Sequence, residues 1–293
     1  MKSQNFTIVI SFFCIWLTAY FSEQIQLLTA FLLIITFGIL HGSNDIVLLN
    51  KINQKTNSYS IIRVLISYLV VVFGTVVLFY FVPALALLVF VLISSFHFGE
   101  QHWNKKIAIN NSYFKKTYQF LYGFLILMLL FSAQPTDVKK IVFEISNVTL
   151  TTAFIYKLAA AVLFAFILSS LYLYFTVANF KKQVVIELFY LLVFTVIFKM
   201  TALIWGFAIY FIFWHSIPSL IDQVQFLYGK CNTSTFLLYC KSAFWYWVIS
   251  IAGIAILYFT LGEKELFEGL FFSFLAAVTF PHVIVIVTMN RQK

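Results

Sequence analysis

Apolar residues run along this chain in long blocks broken by short polar connectors. The blocks fall at about residues 6–21, 25–49, 61–81, 83–103, 117–132, 150–176, 184–198, 202–225, 236–261 and 268–290, each near the roughly 20 residues that a helix needs to cross a bilayer. The pattern predicts ten helices. Pro83 divides the third from the fourth, and the stretch around Lys199 and Thr201 leaves open whether two short spans or one bent pair occupies that region. The first block, Phe6 to Phe21 behind Lys2, resembles the apolar region of a signal peptide. No small-residue cleavage site follows it and more spans do, so a retained first helix is expected. There is no internal repeat and no low-complexity segment, and connectors this short predict one domain over 1–293.

Composition agrees with the pattern: 62% of residues are hydrophobic, 10% are charged and the mean hydropathy is +0.98, against about 25% charged in an ordinary soluble domain. The fold class is therefore all-α, a polytopic transmembrane helical bundle with the lipid bilayer as its surroundings. Nineteen Lys and Arg exceed ten Asp and Glu, but a nucleic-acid partner would need them gathered on a soluble face. They are scattered through connectors, so no nucleic-acid partner is expected. Cys14, Cys231 and Cys240 are odd in number and lack CxxC spacing, which indicates neither a disulfide framework nor a zinc site.

The basic residues also set an orientation. Ten spans beginning inside place fourteen of the nineteen Lys and Arg, among them Lys51, Lys55, Lys105, Lys106, Lys181 and Lys182, on the cytoplasmic side. That asymmetry predicts both termini in the cytoplasm, with the acidic connector Gly262 to Glu268 outside.

Polar residues deep in apolar blocks are costly unless they have a partner or a task. Only five histidines occur, and four of them close apolar runs: His41 in GILHGSNDIVLL, His97 in SSFHFGEQHW, His215 in IFWHSIPSLID and His282 in TFPHVIVIV. All four lie on spans running from outside to cytoplasm, about thirteen to sixteen residues in, a common depth of roughly 20 Å at 1.5 Å per residue. A shared plane of imidazoles suits a metal-ligand cluster; the alternative is four histidines hydrogen-bonded separately. His102, five residues after His97, points about 140° away around the helix and suits a cap or an interfacial position, with ligation as its second reading.

Three acids accompany the histidines. Asp45 follows His41 by four residues, Glu100 follows His97 by three and Asp222 follows His215 by seven, spacings that return to the same helical face. Metal-bound imidazoles usually donate their other N–H to a carboxylate or carbonyl, so these acids are candidates to orient the ligands from behind. The plainer reading puts them, Asp222 above all, in the headgroup layer as solvated charges. Pro218 and Pro281 free backbone carbonyls beside His215 and His282, which can bend the helices and open a cavity; proline is also tolerated in spans for ordinary packing. Thirty-seven Phe, sixteen Tyr and six Trp could line a tunnel for a conjugated substrate, while a lipid-facing role is the commoner one.

The ordered set HGSND, SSFHFGEQHW, FWHSIPSL and FPHVIVIV, from about residue 30 to 290, resembles the bacterial Brp/Blh family of β-carotene 15,15'-dioxygenases. The resemblance implies a multi-pass enzyme of the inner (plasma) membrane that uses Fe(2+) and O2 to cleave β-carotene at its central double bond. The product would be two all-trans-retinal, commonly supplied to a rhodopsin. By motif it implies His41, His97 and His215 as iron ligands. Many members carry a second histidine four residues after the one matching His215, where this chain has Ser219; His282 is then the choice for the fourth ligand and His102 the fallback. Neutral imidazoles without thiolates suit a redox-capable iron with open positions, and no further catalytic residue is expected, since splitting an alkene with dioxygen needs no general base. Three other classes stand beside this one. A di-iron lipid hydroxylase would want about eight clustered histidines, a haem binder would use paired axial histidines, and a proton-coupled transporter would explain the acids but not the depth-matched histidines.

Overall fold

The blocks become helices in the computed structural model, which describes residues 2–56, 61–104, 106, 109, 111–261 and 267–292. Among the described residues there are eleven helices and no strand: α1 (Lys2–Thr18), α2 (Glu23–Gln54), α3 (Ile61–Phe81), α4 (Pro83–Trp103), α5 (Ser112–Ala133), α6 (Pro135–Ser146), α7 (Thr152–Thr176), α8 (Ala178–Met200), α9 (Leu203–Tyr228), α10 (Thr233–Leu261) and α11 (Phe267–Asn290). Eight are long and apolar enough to cross a membrane, and α1 and α3 add the shorter apolar stretches Asn5–Thr18 and Leu65–Phe81. The ten expected spans are all present as helices. Large apolar side chains cover the outward faces, with Phe73 65% and Phe175 71% exposed, the reverse of a water-soluble surface. Most of the acidic connector, 262–266, lies outside the described residues, as does Lys105.

One helix was not expected. α6 is twelve residues, PTDVKKIVFEIS, burying Val138 and Ile141; it is too short to span and too charged to register as an apolar block. Between α8 and α9 the chain breaks outright, with Thr201 and Ala202 both extended, so the two short spans are separate helices. Side-chain amides satisfy the break: Gln134 Nε2 donates to the Thr201 carbonyl at 2.7 Å, and Gln26 Oε1 accepts from Ala202 N at 3.3 Å.

Backbone contacts divide the chain into two compact units. The first comprises Met1–Leu32, Val91–Phe143 and Val148–His215. Its interior is aromatic, with Trp103, Tyr118, Tyr122, Phe180, Phe194 and Phe198 all nearly inaccessible, and α4 and α5 meet there backbone to backbone. A Cβ added at Gly99 would lie 1.6 Å from the Gln119 carbonyl oxygen, and one at Gly123 1.9 Å from that of Ser95. Within a membrane, where lipid is as apolar as leucine, small residues bring helices together because they allow this approach.

The second unit comprises Leu33–Phe90, Glu144–Asn147 and Ser216–Lys293. Leu48, Ile52, Leu220, Val224, Tyr239, Ala243, Ile286 and Met289 form its core. The segment HGSND runs through it with a task for each residue. Gly42 packs beside the His282 ring, Ser43 Oγ donates back to the Ile39 carbonyl at 2.8 Å, and Asn44 Nδ2 donates to the Tyr239 carbonyl at 2.9 Å.

Candidate metal centre

Each unit holds two of the four span histidines as a buried pair. In the first unit His97 (α4) and His215 (α9) lie with ring centroids 4.7 Å apart, edge to face. Phe98 meets the His215 ring at 4.7 Å and Phe211 stacks on it at 5.5 Å, so aromatic carbon shuts water out of the pair. In the second unit His41 (α2) and His282 (α11) stand at right angles with centroids 4.8 Å apart, and a ring nitrogen of each lies within 4.8 Å of the other's. None of the four is more than 5% exposed.

Helical irregularity brings two of them into place. The backbone widens into a π turn at Ile34–Gly38, one turn before His41, and again at Tyr210–Ser216, which contains His215. Such turns shift the following side chains around the helix and are common at functional sites. Pro218 lies two residues after the second, where it has no N–H to return to the preceding turn. Pro281 sits inside α11 beside His282.

The surroundings fix how two of the imidazoles present themselves. His41 Nδ1 meets the Gly38 carbonyl and His282 Nδ1 meets Asp45 Oδ1 at 2.7 Å. A carbonyl or a carboxylate can only accept, so both rings donate from Nδ1, and a neutral ring held this way has its lone pair on Nε2. This is the arrangement that metal-binding histidines adopt. The donor set is imidazole nitrogen with no thiolate near, which fits a first-row redox metal such as iron. Asp45 bonds His282, on another helix, and its second oxygen accepts from the Tyr68 hydroxyl at 3.1 Å. Glu100 is buried one turn after His97, while Asp222 is partly exposed.

His102 and Ser219 have separate surroundings. His102 Nε2 stands 2.5 Å from Glu187 Oε2 and 2.8 Å from Lys106 Nζ, and Tyr122 closes the group at 3.1 Å. Nε2 can donate to the carboxylate or accept from the ammonium, one at a time, while Lys106 also donates to Glu187 Oε1 at 2.6 Å. Burial pushes the Lys106 ammonium below the ordinary lysine range, and the Glu187 charge opposes that shift. Ser219 Oγ accepts from Gln223 Nε2 at 3.2 Å, and Gln223 Oε1 accepts from the Tyr239 hydroxyl at 2.7 Å. That hydroxyl lies 3.2 Å from the His41 carbonyl. Ser219 is thus a hydrogen-bonding post behind the helix that carries His41.

Sequence reasoning did not single out Glu187, Tyr122, Tyr68, Gln223 or Tyr239, and it read Lys106 only as a topology signal. For Glu187 a signal existed, a lone acid within an apolar block. Trp103 is buried packing, Trp214 Nε1 donates to Ser11 Oγ at 3.0 Å and Trp245 is 70% exposed.

Two comparisons with known proteins found nothing: no curated protein and no solved structure matches the chain. A family model described as Beta-carotene 15,15'-dioxygenase matches residues 32–290, a range that includes all five histidines.

Proposed function

Because the chain belongs to the beta-carotene 15,15'-dioxygenase family, we propose that it cleaves β-carotene at the central 15,15' double bond with O2 to give two all-trans-retinal. In this reading the whole chain, 1–293, works as one catalytic domain of the plasma membrane. One Fe(2+) is held by His41, His97, His215 and His282, and the retinal passes to a rhodopsin.

The observation that carries the reading is the fixed orientation of His41 and His282. Each spends its Nδ1 proton on an acceptor and keeps the lone pair on Nε2, and holding two imidazoles this way before a metal arrives avoids ordering them at the moment of binding. Ferrous iron bound there would supply the redox chemistry that lets dioxygen react with an alkene. The protein's own residues do the rest. In this reading Asp45 orients His282 and the buried Glu100 orients His97, Phe98 and Phe211 exclude water, and no side chain has to act as nucleophile or base.

Expression in cells that accumulate β-carotene tests the proposal. Loss of orange colour with appearance of retinal, and without longer or shorter apocarotenals, is the expected result. Colour retained in cells that contain the protein, or eccentric products, would overturn it.

A further inference from the structure

Tyr68, on α3, joins the histidine pair of the second unit to a space that the proposed chemistry has not used. Its hydroxyl donates to Asp45, which accepts from His282; its ring is one wall of a cavity of about 260 Å³. Val71 on the same helix and Pro281 and Ile284 on α11 form other walls, and Arg63 is the one charged residue of the lining among the described residues. The cavity therefore begins at the residue next to His282 and follows α3 to Arg63, five residues before Tyr68 or about 7.5 Å at helical rise.

The two hydroxyls of the lining are turned aside, which leaves the stretch between Tyr68 and Ile284 apolar. Ser67 Oγ donates to the Arg63 carbonyl of its own helix at 2.9 Å, and the Tyr68 hydroxyl is given to Asp45. Ile284, at the outer wall, is 56% exposed, so on a membrane span the cavity opens sideways toward hydrocarbon. A space that is apolar, open to lipid and adjacent to a candidate ligand suits an occupant with no polar groups. Its volume falls just below that of pockets that enclose a whole ligand, about 300–1,000 Å³, which suits part of a long molecule.

We infer that this cavity receives one terminal ring of the carotenoid with the adjoining arm of its polyene, and that Tyr68 is a positioning residue between that arm and the metal ligand. The ring of Tyr68 contacts the arm, and its hydroxyl holds the Asp45 carboxylate in the orientation that His282 requires. The inference rests on the proposed cleavage of β-carotene.

Filling the cavity tests it. Purified Val71→Trp protein, and the milder Val71→Leu should the first fail to fold, are compared with the unaltered protein for iron content and for cleavage of two substrates. One is β-carotene and the other is an apocarotenal that keeps one ring and lacks the opposite one. The expected result is unchanged iron, a fall of about tenfold in kcat/KM for β-carotene with Trp and less with Leu, and a much smaller fall for the apocarotenal, whose short end needs no cavity. Tyr68→Phe keeps the wall and removes the hydroxyl, so kcat should fall by about tenfold with KM little changed. Equal losses on both substrates, as expected if a lipid chain occupies the space, would overturn the inference, as would no loss on either. Failure of the reaction itself is distinguishable, because the unaltered protein would then cleave neither substrate.

Discussion

His282 Nδ1 donates to Asp45 Oδ1 across 2.7 Å, joining residues 237 positions apart in the chain. Both are almost completely buried, so the carboxylate cannot exchange its imidazole for water. Replacing it by an amide, Asp45→Asn, keeps the volume but weakens the acceptor. Retinal formation should fall by about 10–100-fold, the usual effect of losing the group behind a metal-bound histidine, while circular dichroism stays unchanged. Wild-type activity in Asp45→Asn would mean that His282 does not depend on this contact.

The ligand set makes a sharper prediction. Purified protein should hold about one iron per chain, and His41→Ala, His97→Ala, His215→Ala and His282→Ala should each remove the iron and the activity. His102→Ala should keep both, since Lys106 and Tyr122 still satisfy Glu187. Ser219→Ala should keep iron but lower stability by about 1 kcal/mol, because Gln223 Nε2 loses its buried acceptor. Iron lost from the His102 variant and kept by the His282 variant would reverse the assignment.

Gly99→Ala and Gly123→Ala should both be severely destabilising. A methyl group 1.6 or 1.9 Å from a backbone oxygen forces α4 and α5 apart, at a cost above the roughly 1–3 kcal/mol of ordinary overpacking. Gly74→Ala is the control, since nothing lies within 4 Å of its added Cβ and alanine in a helix interior is favoured by about 0.5–1 kcal/mol. Thermal unfolding in detergent should rank the three in that order; a tolerated Gly99→Ala would refute the close approach.

The Glu187 cluster should behave as a mutually dependent set. Glu187→Gln leaves the partly buried Lys106 without its counter-charge and should cost about 1–3 kcal/mol, less than for a fully buried pair because Lys106 keeps some solvent contact, whereas Glu187→Leu combined with Lys106→Met should recover much of that loss. A double-mutant cycle read by detergent unfolding checks the coupling. Additive losses would show that the two charges do not depend on each other.

What could be read from the sequence follows the range of the forces involved. The ten apolar blocks became ten helices because burial of the backbone in lipid is decided locally, residue by residue. The four span histidines stood out because a polar group at that depth is rare. The π turns at Ile34–Gly38 and Tyr210–Ser216 left no trace in the hydrophobic pattern, since one residue added to a turn on an apolar helix changes no residue type. Helical spacing offered His41 as the partner of Asp45, yet the carboxylate went to His282; spacing ranks neighbours on one helix and is silent about the helix packed alongside. Lys106 was read as a topology signal, a role its sequence position supports, and its bond to Glu187 81 residues away is of a kind no local window contains.

The bare contact between α4 and α5 also bears on how a mutational map of this chain would read. Gly99 is two residues from His97 and one from Glu100, so a saturation scan scored on retinal production would show an unbroken block of intolerant positions and invite a catalytic label for all of them. Gly123, far along the chain and next to no candidate ligand, would carry the same signature for the same steric reason. Scoring each variant for protein abundance as well as colour would separate the two causes: the glycines would lose both together, and the histidines would lose colour alone.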